Sequence, residues 1–343
     1  MKKFTTLLFF SIILLILTAC GGSEGESKNG SSVTTVKKEQ DKVIQYQSSA
    51  GAVSYAELAY ALGYLGDIKL EKVSDYKGGP ESIQLTATGE VDFGGAFNGA
   101  IVKSIAQGVN IKSVISYYGS DKDTYAGYYT LENSDINEAR DLIGKKVGVN
   151  ILGAHAEFAI KQYLRDNGLT EKEIEKVELV VIPSSSAEQI LRAGQVDVVS
   201  LSGVARDKAL ETGGIKLLFK DIDLFGEFVA GTYFFNNKYI EENPDTVRTF
   251  VDGVARAIEW ARITPREEVI AKYEEIIKAR PGNETTDNLK YWLSTGIANE
   301  GGSIKEKDFQ IWIDWLVKNG DLKEGQVKLE DLYTNEFNPY AKE

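Results

Sequence analysis

Small polar residues fill five segments of the sequence that follow predicted strands, and they could bind a small solute. The segments are Gln47–Tyr55, Gly94–Gly99, Tyr117–Tyr125, Asn150–Glu157 and Ser200–Arg206. Hydroxyl and amide groups offer neutral hydrogen bonds, and free N–H groups at helix N-termini favour anions. The candidate binding residues are the polar Ser48, Ser49, Ser54, Asn98, Asn150 and Ser202, the glycines Gly51 and Gly153, and the aromatic Tyr55, Phe97, Tyr117, Phe228 and Tyr233. Each also has a purely structural interpretation, since serine and asparagine cap helices and glycine permits tight turns.

The chain has one histidine, His155, and one cysteine, Cys20, which limits its chemistry. Neither a histidine-rich nor a cysteine-rich metal site can be built from them. His155 lies in the first turn of a predicted helix, where it could equally be a polar residue of a ligand-binding cleft or a residue of the protein surface. The sequence contains no Walker loop, no Gly-x-Ser-x-Gly and no complete dinucleotide-binding fingerprint. It therefore predicts a protein without a cofactor or metal, and a binding protein rather than an enzyme.

The net charge of the chain argues against two classes of binding partner. Acidic residues outnumber basic ones by 51 to 39, which gives a net charge of −12 at pH 7. Nucleic-acid binding depends on clusters of lysine and arginine. The sequence therefore predicts no nucleic-acid partner and no adhesion to anionic lipid through surface charge.

The elements that must position these residues alternate between strand and helix. This order predicts an α/β fold with parallel sheets. Capping boxes at Thr170-x-x-Glu173 and Ser185-x-x-Glu188 predict two helix starts. The predicted strands are Val43–Gln47, Ile68–Val73, Val91–Phe93, Ile111–Ser116, Lys146–Val149, Val177–Pro183, Val196–Ser200 and Ile215–Phe219.

An internal repeat predicts two similar lobes. Gly89-x-Val91-Asp92 recurs later in the chain as Gly194-x-Val196-Asp197, in the same order of elements. The strand-like runs Gly127–Leu131 and Phe228–Asn236 could carry the chain from one lobe to the other and back. The sequence therefore predicts two Rossmann-like lobes joined by a hinge, with lobe 1 at 42–130 plus 230–343 and lobe 2 at 131–229.

The N-terminus resembles that of a bacterial lipoprotein. Lys2 and Lys3 precede an apolar run that is too short to cross a bilayer, and Leu-Thr-Ala-Cys20 is similar to a lipobox. We expect a signal peptide over 1–19, acyl chains such as palmitate on Cys20, and a flexible tether over 20–41. The protein would then be held at the cell membrane, facing outside the cytoplasm.

Four motifs carry a resemblance to a known family. They are the lipobox, Gly89-Glu-Val-Asp-Phe-Gly94, Asp141-Leu-Ile-Gly-Lys-Lys-Val-Gly-Val149 and Gly194-Gln-Val-Asp197. The sequence resembles the nitrate/sulfonate/taurine branch of ABC-transporter substrate-binding proteins, to which thiamin-pyrimidine synthases are similar. The resemblance implies the type II periplasmic-binding-protein fold, a "Venus flytrap" whose two lobes close on a small molecule. By matching position it implies ligand contacts at Ser49–Tyr55, Phe97–Gly99, Gly153–His155 and Ser202–Gly203, which adds Gly99, Ala154, His155 and Gly203 to the candidates.

The favoured interpretation is a solute-binding lipoprotein that delivers its ligand to an ABC permease and its ATPase. The ligand would be a small organic anion, such as a sulfonate, taurine or nitrate, or an aromatic heterocycle. Cationic side chains are scarce in the candidate loops, with Lys122 and Arg206 as exceptions, so charge does not choose between these classes. Two alternatives stay open: a ligand-sensing module of a membrane kinase, and a pyrimidine-precursor enzyme on the same fold.

Overall fold

The computed structural model describes residues 40–341. The predicted signal peptide, the lipid attachment at Cys20 and residues 20–39 of the predicted tether lie outside this range. Gln40 and Asp41, also assigned to the tether, contact a long C-terminal helix. The side-chain oxygen of Gln40 accepts the backbone N–H groups of Asp245 and Thr246 at 2.7 and 3.0 Å.

Ten strands form three sheets within the described residues. In chain order they are β1 (Val43–Ser48), β2 (Lys69–Asp75), β3 (Phe93–Phe97), β4 (Ile111–Ser120), β5 (Ala126–Leu131), β6 (Lys146–Val149), β7 (Glu178–Val181), β8 (Val198–Ser202), β9 (Ile215–Lys220) and β10 (Phe228–Asn236). β1 pairs with β2 in parallel. A three-stranded sheet has the order β3-β10-β4, and a five-stranded sheet has the order β7-β6-β8-β5-β9.

Helices follow most of the strands and make up most of the C-terminal third. They are α1 (Tyr55–Ala61), α2 (Gly79–Thr88), α3 (Asn98–Ala106), α4 (His155–Asp166), α5 (Glu171–Ile174), α6 (Ala187–Arg192), α7 (Gly203–Thr212), α8 (Asp221–Phe225), α9 (Asn237–Glu242), α10 (Pro244–Ile263), α11 (Arg266–Ala279), α12 (Lys307–Lys318) and α13 (Leu329–Leu332). Thr170 and Glu173 form the predicted capping box before α5. The box predicted at Ser185 is wrong, because residues 184–186 form a 3₁₀ turn and Ser186 precedes α6 without a side-chain cap.

The prediction of parallel sheets is wrong for one strand in each larger sheet. β10 lies between β3 and β4 and runs antiparallel to both, and β5 lies in the same way between β8 and β9. β5 begins with Ala126 beside Ser202 at the end of β8, and β10 begins with Phe228 beside Ser120 at the end of β4. The chain thus enters each sheet at the edge where the neighbouring strands finish, so the entering strand must run the opposite way.

The repeated Gly-x-Val-Asp turns have the same structural role in both copies. The carboxylate of Asp92 accepts the backbone N–H of Gln45 at 2.6 Å, and the Asp92 N–H donates to the Gln45 carbonyl at 2.9 Å. Asp197 pairs in the same way with Lys146, at 2.8 and 2.9 Å. Each aspartate therefore ties its turn to a neighbouring strand, β1 in the first copy and β6 in the second.

The apolar core is divided among several clusters. The C-terminal helix α10 packs Phe250 against Phe93 of β3, with ring centroids 4.7 Å apart. Trp312 of α12 is fully buried. The segment that carries the five-stranded sheet has its own clusters, which include Tyr128, Ile160 and Val199. None of the helices within residues 40–341 combines the length and apolarity needed to cross a bilayer.

Candidate functional site

A cavity of about 480 Å³ lies where strand ends and helix starts of the two larger sheets meet. Most of its residues follow the C-terminal ends of parallel strands, which is the edge where open α/β sheets bind ligands. The lining consists of Tyr76, Lys77, Gly78, Gly79, Pro80, Phe97, Ala100, Tyr118, Ala126, Asn150, Ile151, Ala154, His155, Ala156, Pro183, Ser184, Ser200, Leu201, Ser202 and Ala205.

Four helix N-termini contribute to this lining. They belong to α2, α3, α4 and α7. In the described chain, none of these four helices has a side-chain cap on its first N–H groups. Helix α1 differs, because the Ser54 hydroxyl accepts the Glu57 N–H at 3.2 Å. Uncapped N–H groups and the partial positive charge of a helix start both favour an anion.

Charged side chains contribute little to the cavity. Lys77 lies at its rim and is exposed, with its Nζ 3.5 Å from a carboxylate oxygen of Glu81. Arg206, which the sequence suggested as a cation near the cleft, is buried and occupied elsewhere. Its guanidinium donates to the carbonyls of Asp123 and Tyr125 at 2.8 and 3.1 Å. Arg206 therefore holds the segment 121–125, and the charge that favours an anion comes from helix ends.

His155 lies in the cavity wall between aromatic rings. Its ring centroid is 5.8 Å from that of Phe97 and 5.5 Å from that of Phe228. Its Nε2 is 3.3 Å from a carboxylate oxygen of Asp221, whose side chain is fully buried. Burial lowers the pKa of His155, and the negative charge of Asp221 offsets only part of this effect. Burial therefore favours the neutral form of the imidazole.

Asp221 also joins the segments that connect the two larger sheets. Its carboxylate accepts the Ser120 hydroxyl at 2.7 Å and the Ala126 N–H at 3.1 Å. Ser120 ends β4, Ala126 begins β5, and Asp221 itself begins α8 shortly before β10. One carboxylate thus contacts both crossings of the chain and the histidine of the cavity.

A second cavity, of about 260 Å³, shares Tyr76 and Tyr118 with the first. Burial raises the pKa of Tyr117 and Tyr118 well above the usual range, so both phenols stay neutral. Aromatic rings and serines dominate its wall, which favours an uncharged group. Its lining consists of Gln47, Ser48, Ser49, Ala52, Val53, Ser54, Tyr55, Tyr76, Ser82, Phe93, Gly94, Gly95, Tyr117, Tyr118 and Tyr233.

The structure divides the sequence-predicted residues between the two cavities. The larger cavity contains Phe97, Asn150, Ala154, His155 and Ser202. The smaller cavity contains Ser48, Ser49, Ser54, Tyr55, Tyr117 and Tyr233. Six further candidates line neither cavity: Gly51, Asn98, Gly99, Gly153, Gly203 and Phe228.

Three of these six have their polar groups occupied within the protein. The N–H of Gly51 donates to Glu284 at 2.8 Å, and the N–H of Gly153 donates to Glu157 at 2.7 Å. The buried amide of Asn98 donates to the carbonyl of Asp308 at 3.0 Å. These groups therefore have partners within the protein, and their contact with a ligand stays a prediction.

The other three affect the packing or the backbone conformation beside the larger cavity. A Cβ on Gly99 would lie 2.5 Å from the ring of Phe97, so this glycine permits close packing. Gly203 has a φ of +50° at the start of α7. Phe228 is buried behind His155 and contacts its ring.

The segment 76–80 before α2 was not among the candidates predicted from the sequence. Its signal was present, because Gly78-Gly79-Pro80 combines glycines with a proline in the first helical turn, where proline is favoured. Ser200 and Ala205 lie in one of the five predicted segments but were not among the candidate residues, and the turn at Pro183 was outside all five segments. Within residues 40–341, no group of three or more His, Cys, Asp or Glu side chains is arranged to hold a metal ion.

Comparison with known proteins identifies the relatives of this chain. Residues 58–268 match the family model described as "NMT1/THI5 like". A 4-amino-5-hydroxymethyl-2-methylpyrimidine phosphate synthase from Candida albicans (strain WO-1) is 24% identical over 299 residues, which cover 82% of each protein.

Two solved structures show the likeness of fold. The periplasmic aliphatic sulphonate binding protein SsuA from Escherichia coli has a TM-score of 0.67 at 17% identity, covering 89% of this chain and 96% of SsuA. The periplasmic nitrate-binding protein NrtA from Synechocystis PCC 6803 has a TM-score of 0.63 at 12% identity, covering 86% of this chain and 87% of NrtA.

The sequence-based expectation that this chain is not an enzyme is contradicted by the Candida relative, which is named as a synthase. That expectation depended on missing catalytic motifs. The absence of such motifs therefore does not exclude catalysis by this chain. Since the family model matches well over half of the 343 residues, the chain belongs to the NMT1/THI5-like family and has the periplasmic-binding-protein fold.

Proposed function

We propose that this protein is an extracytoplasmic solute-binding lipoprotein that captures a small organic anion and delivers it to an ABC permease and its ATPase. The observation that carries the proposal is the meeting of four uncapped helix N-termini at one cavity. The names of the related sulphonate-binding and nitrate-binding proteins support the same class of ligand.

The size and wall of the cavity favour an organic anion over a bare inorganic one. About 480 Å³ lies within the range of roughly 300–1,000 Å³ that is usual for drug-sized ligands. Tyr76, Phe97 and Tyr118 supply aromatic surface beside the helix ends. A sulfonate or phosphate that carries an alkyl or aromatic group fits these features.

We also propose the two-lobe division expected from the sequence, with lobe 1 at 42–130 plus 230–343 and lobe 2 at 131–229. Strand pairing supports two lobes, because β5 to β9 form one sheet and β3, β4 and β10 form another. It favours boundaries a few residues earlier than those expected, with all of β5 in lobe 2 and all of β10 in lobe 1. The connections between these sheets run through 121–125 and 221–227. A hinge there would let the lobes close on a ligand.

The binding proposal is tested by placing a carboxylate at one helix start. Ser202→Asp would cap α7 and add negative charge to the cavity wall, so it should keep the fold while weakening anion binding by at least tenfold. Ser186→Asp is the matched control, because it changes the N-cap residue of α6 outside the cavity. Calorimetric titration with butanesulfonate, nitrate and the pyrimidine phosphate of the Candida enzyme measures the effect. Equal affinities for the two variants would contradict the proposed site.

The membrane anchor is tested separately. Cys20→Ser removes the acceptor of the proposed acyl chains, so the protein should move from the membrane fraction to the medium. Retention of the variant in the membrane fraction would rule out this anchor.

A second candidate function is synthesis of a pyrimidine phosphate. It is favoured by the Candida relative and by the buried carboxylate beside His155 in the larger cavity. The test is an assay for formation of the pyrimidine phosphate when the wild type or His155→Ala is incubated with a cell extract that supplies small-molecule precursors. Product formation that depends on His155 would establish an enzyme, and no product with either protein would leave binding alone.

A further inference from the structure

We infer that His155 takes up a proton when an anion binds in the larger cavity, with Nδ1–H directed at the anion and Nε2–H at the carboxylate of Asp221. This inference rests on the proposed function, because it gives one residue of that site a specific role. It also defines the preferred ligand as an ionised oxyanion whose affinity depends on pH.

The contacts of the imidazole leave it incompletely satisfied without a ligand. Nε2 is buried and has no hydrogen-bond partner among the described residues. It lies 3.3 Å from the carboxylate of Asp221, but the two groups are misaligned for a hydrogen bond. A buried polar atom without a partner is unfavourable. A small rotation of the ring would align Nε2–H with the carboxylate, and an anion that holds the opposite edge of the ring would favour that rotation.

Among residues 40–341, Asp221 is the charged group that acts on the ring of His155. Asp221 of α8 faces Nε2. The other elements packed on the ring contribute Phe97 from β3, Phe228 from β10 and Trp312 from α12, none of which titrates. Since the His155 side chain is only 16% exposed, solvent screens its interactions weakly. A second negative charge in the cavity would therefore act strongly on the proton affinity of the ring.

The direction of the pH dependence follows from the two states of the ring. In the free protein, burial keeps the pKa of His155 below its usual value. A bound anion stabilises the charged imidazolium and raises the pKa in the complex. Between these two pKa values the complex holds one more proton than the free protein, so affinity falls as pH rises. One linked proton limits the slope to about tenfold in Kd per pH unit.

The inference can be tested on the unmodified protein, because the chain contains a single histidine. The NMR signal of the imidazole Cε1–H therefore belongs to His155 without further assignment. We expect it to titrate below about 6.5 in the free protein and at a clearly higher pH when a probe is bound. The probes are butanesulfonate, nitrate and the pyrimidine phosphate, and calorimetry on the same samples establishes whether each one binds.

The outcomes separate this inference from the proposed function. If no probe binds, both are overturned. If a probe binds while the His155 pKa stays the same, the solute-binding function stands and proton uptake is refuted. His155→Gln supplies a variant control, since it should bind butanesulfonate, which stays ionised across this range, with an affinity that no longer changes between pH 5 and 8. Asp221→Asn tests the positioning role of the carboxylate, because it should lower the pH at which the bound histidine titrates.

Discussion

The carboxyl group of Asp92 shows how a single residue of the repeated turn makes the folding stability depend on pH. Its oxygen accepts the Gln45 N–H, which favours the ionised form, but burial has the larger effect and raises the pKa of Asp92 to about 6. The folded state therefore binds a proton more tightly than the unfolded chain, where an aspartate titrates near about 4. The stability that this group contributes is highest below about pH 4 and is lost as pH rises through about 6.

Substitution of Asp92 by asparagine should remove this pH dependence. Asp92→Asn keeps an acceptor for the Gln45 N–H but cannot ionise. Relative to the wild type, the variant should gain about 1–2 kcal/mol of unfolding free energy between pH 4 and 7, a figure reduced for the partial exposure of the group. Urea denaturation across this pH range measures the change. Asp92→Ala, which loses the acceptor, should instead be destabilised at every pH, and identical pH profiles for wild type and Asp92→Asn would contradict the argument.

Among the elements, the loop between β1 and α1 is held from outside by the end of α11. Arg280 donates to the Ala52 carbonyl at 2.7 Å and to the buried carboxylate of Glu57 at 2.9 Å. It also pairs with Glu284 at 2.9 Å, and Glu284 accepts the Gly51 N–H. The backbone of this loop is therefore occupied by the protein itself, although its serines line the smaller cavity.

Removal of Arg280 should cost more stability than removal of an ordinary surface cation. Arg280→Met would leave Glu57, whose side chain is 6% exposed, without its charged partner. We expect a loss of about 3 kcal/mol, as is typical when one member of a buried ion pair is removed. Lys278→Met on the same helix is the matched control, because its pair with Glu274 is exposed and should be worth less than about 1 kcal/mol. Guanidinium denaturation of both variants measures the difference, and equal losses would show that the buried pair has no special role.

The elements also show what could be predicted from the sequence. The strands β6 and β10 have the predicted bounds, because their runs of apolar and β-branched residues end at polar turns. The strand predicted at Val91–Phe93 instead runs Phe93–Phe97, a segment rich in glycine. Tertiary packing explains why this glycine-rich segment forms the strand, since a Cβ on Gly95 would lie 2.9 Å from the ring of Tyr117. A local pattern does not contain that contact.

The candidate site could also be predicted only in part, because tertiary contacts help to form it. The sequence placed His155 in the first turn of a helix that follows the predicted strand Lys146–Val149, and α4 begins there. It could not show that α2, rather than α1, brings its N-terminus to the larger cavity. That choice depends on how the antiparallel strands enter the sheets and on the capping of α1 by Ser54, which uses the N–H group that an anion would need.

At the scale of the whole molecule, two of the contacts between the helices of the five-stranded sheet and the rest of the chain differ in burial. Phe158 of α4 stacks on Trp315 of α12 with ring centroids 3.7 Å apart. Elsewhere Glu211 of α7 contacts the Tyr291 hydroxyl, and its carboxylate lies 3.6 Å from Lys290 Nζ. The aromatic contact is buried, whereas both members of the ion pair are more than half exposed. If the proposed lobes open, the exposed contact should break first, because such pairs contribute at most about 1 kcal/mol.

Distance measurements between spin labels can test whether the exposed contact opens while the buried aromatic contact stays closed. Because Cys20 is the single native cysteine, Cys20→Ser gives a background free of other thiols. Labels at Glu211→Cys and Lys290→Cys should show a broad distance distribution without ligand and a narrow one with a saturating anion, since the ligand favours the closed arrangement only through its higher affinity for it. Labels at Lys161→Cys and Lys318→Cys report on α4 and α12, and their distance should stay the same in both conditions. If binding is confirmed by calorimetry while the first pair also stays the same, the ligand binds to a rigid molecule, and the permease would have to recognise occupancy by some means other than lobe closure.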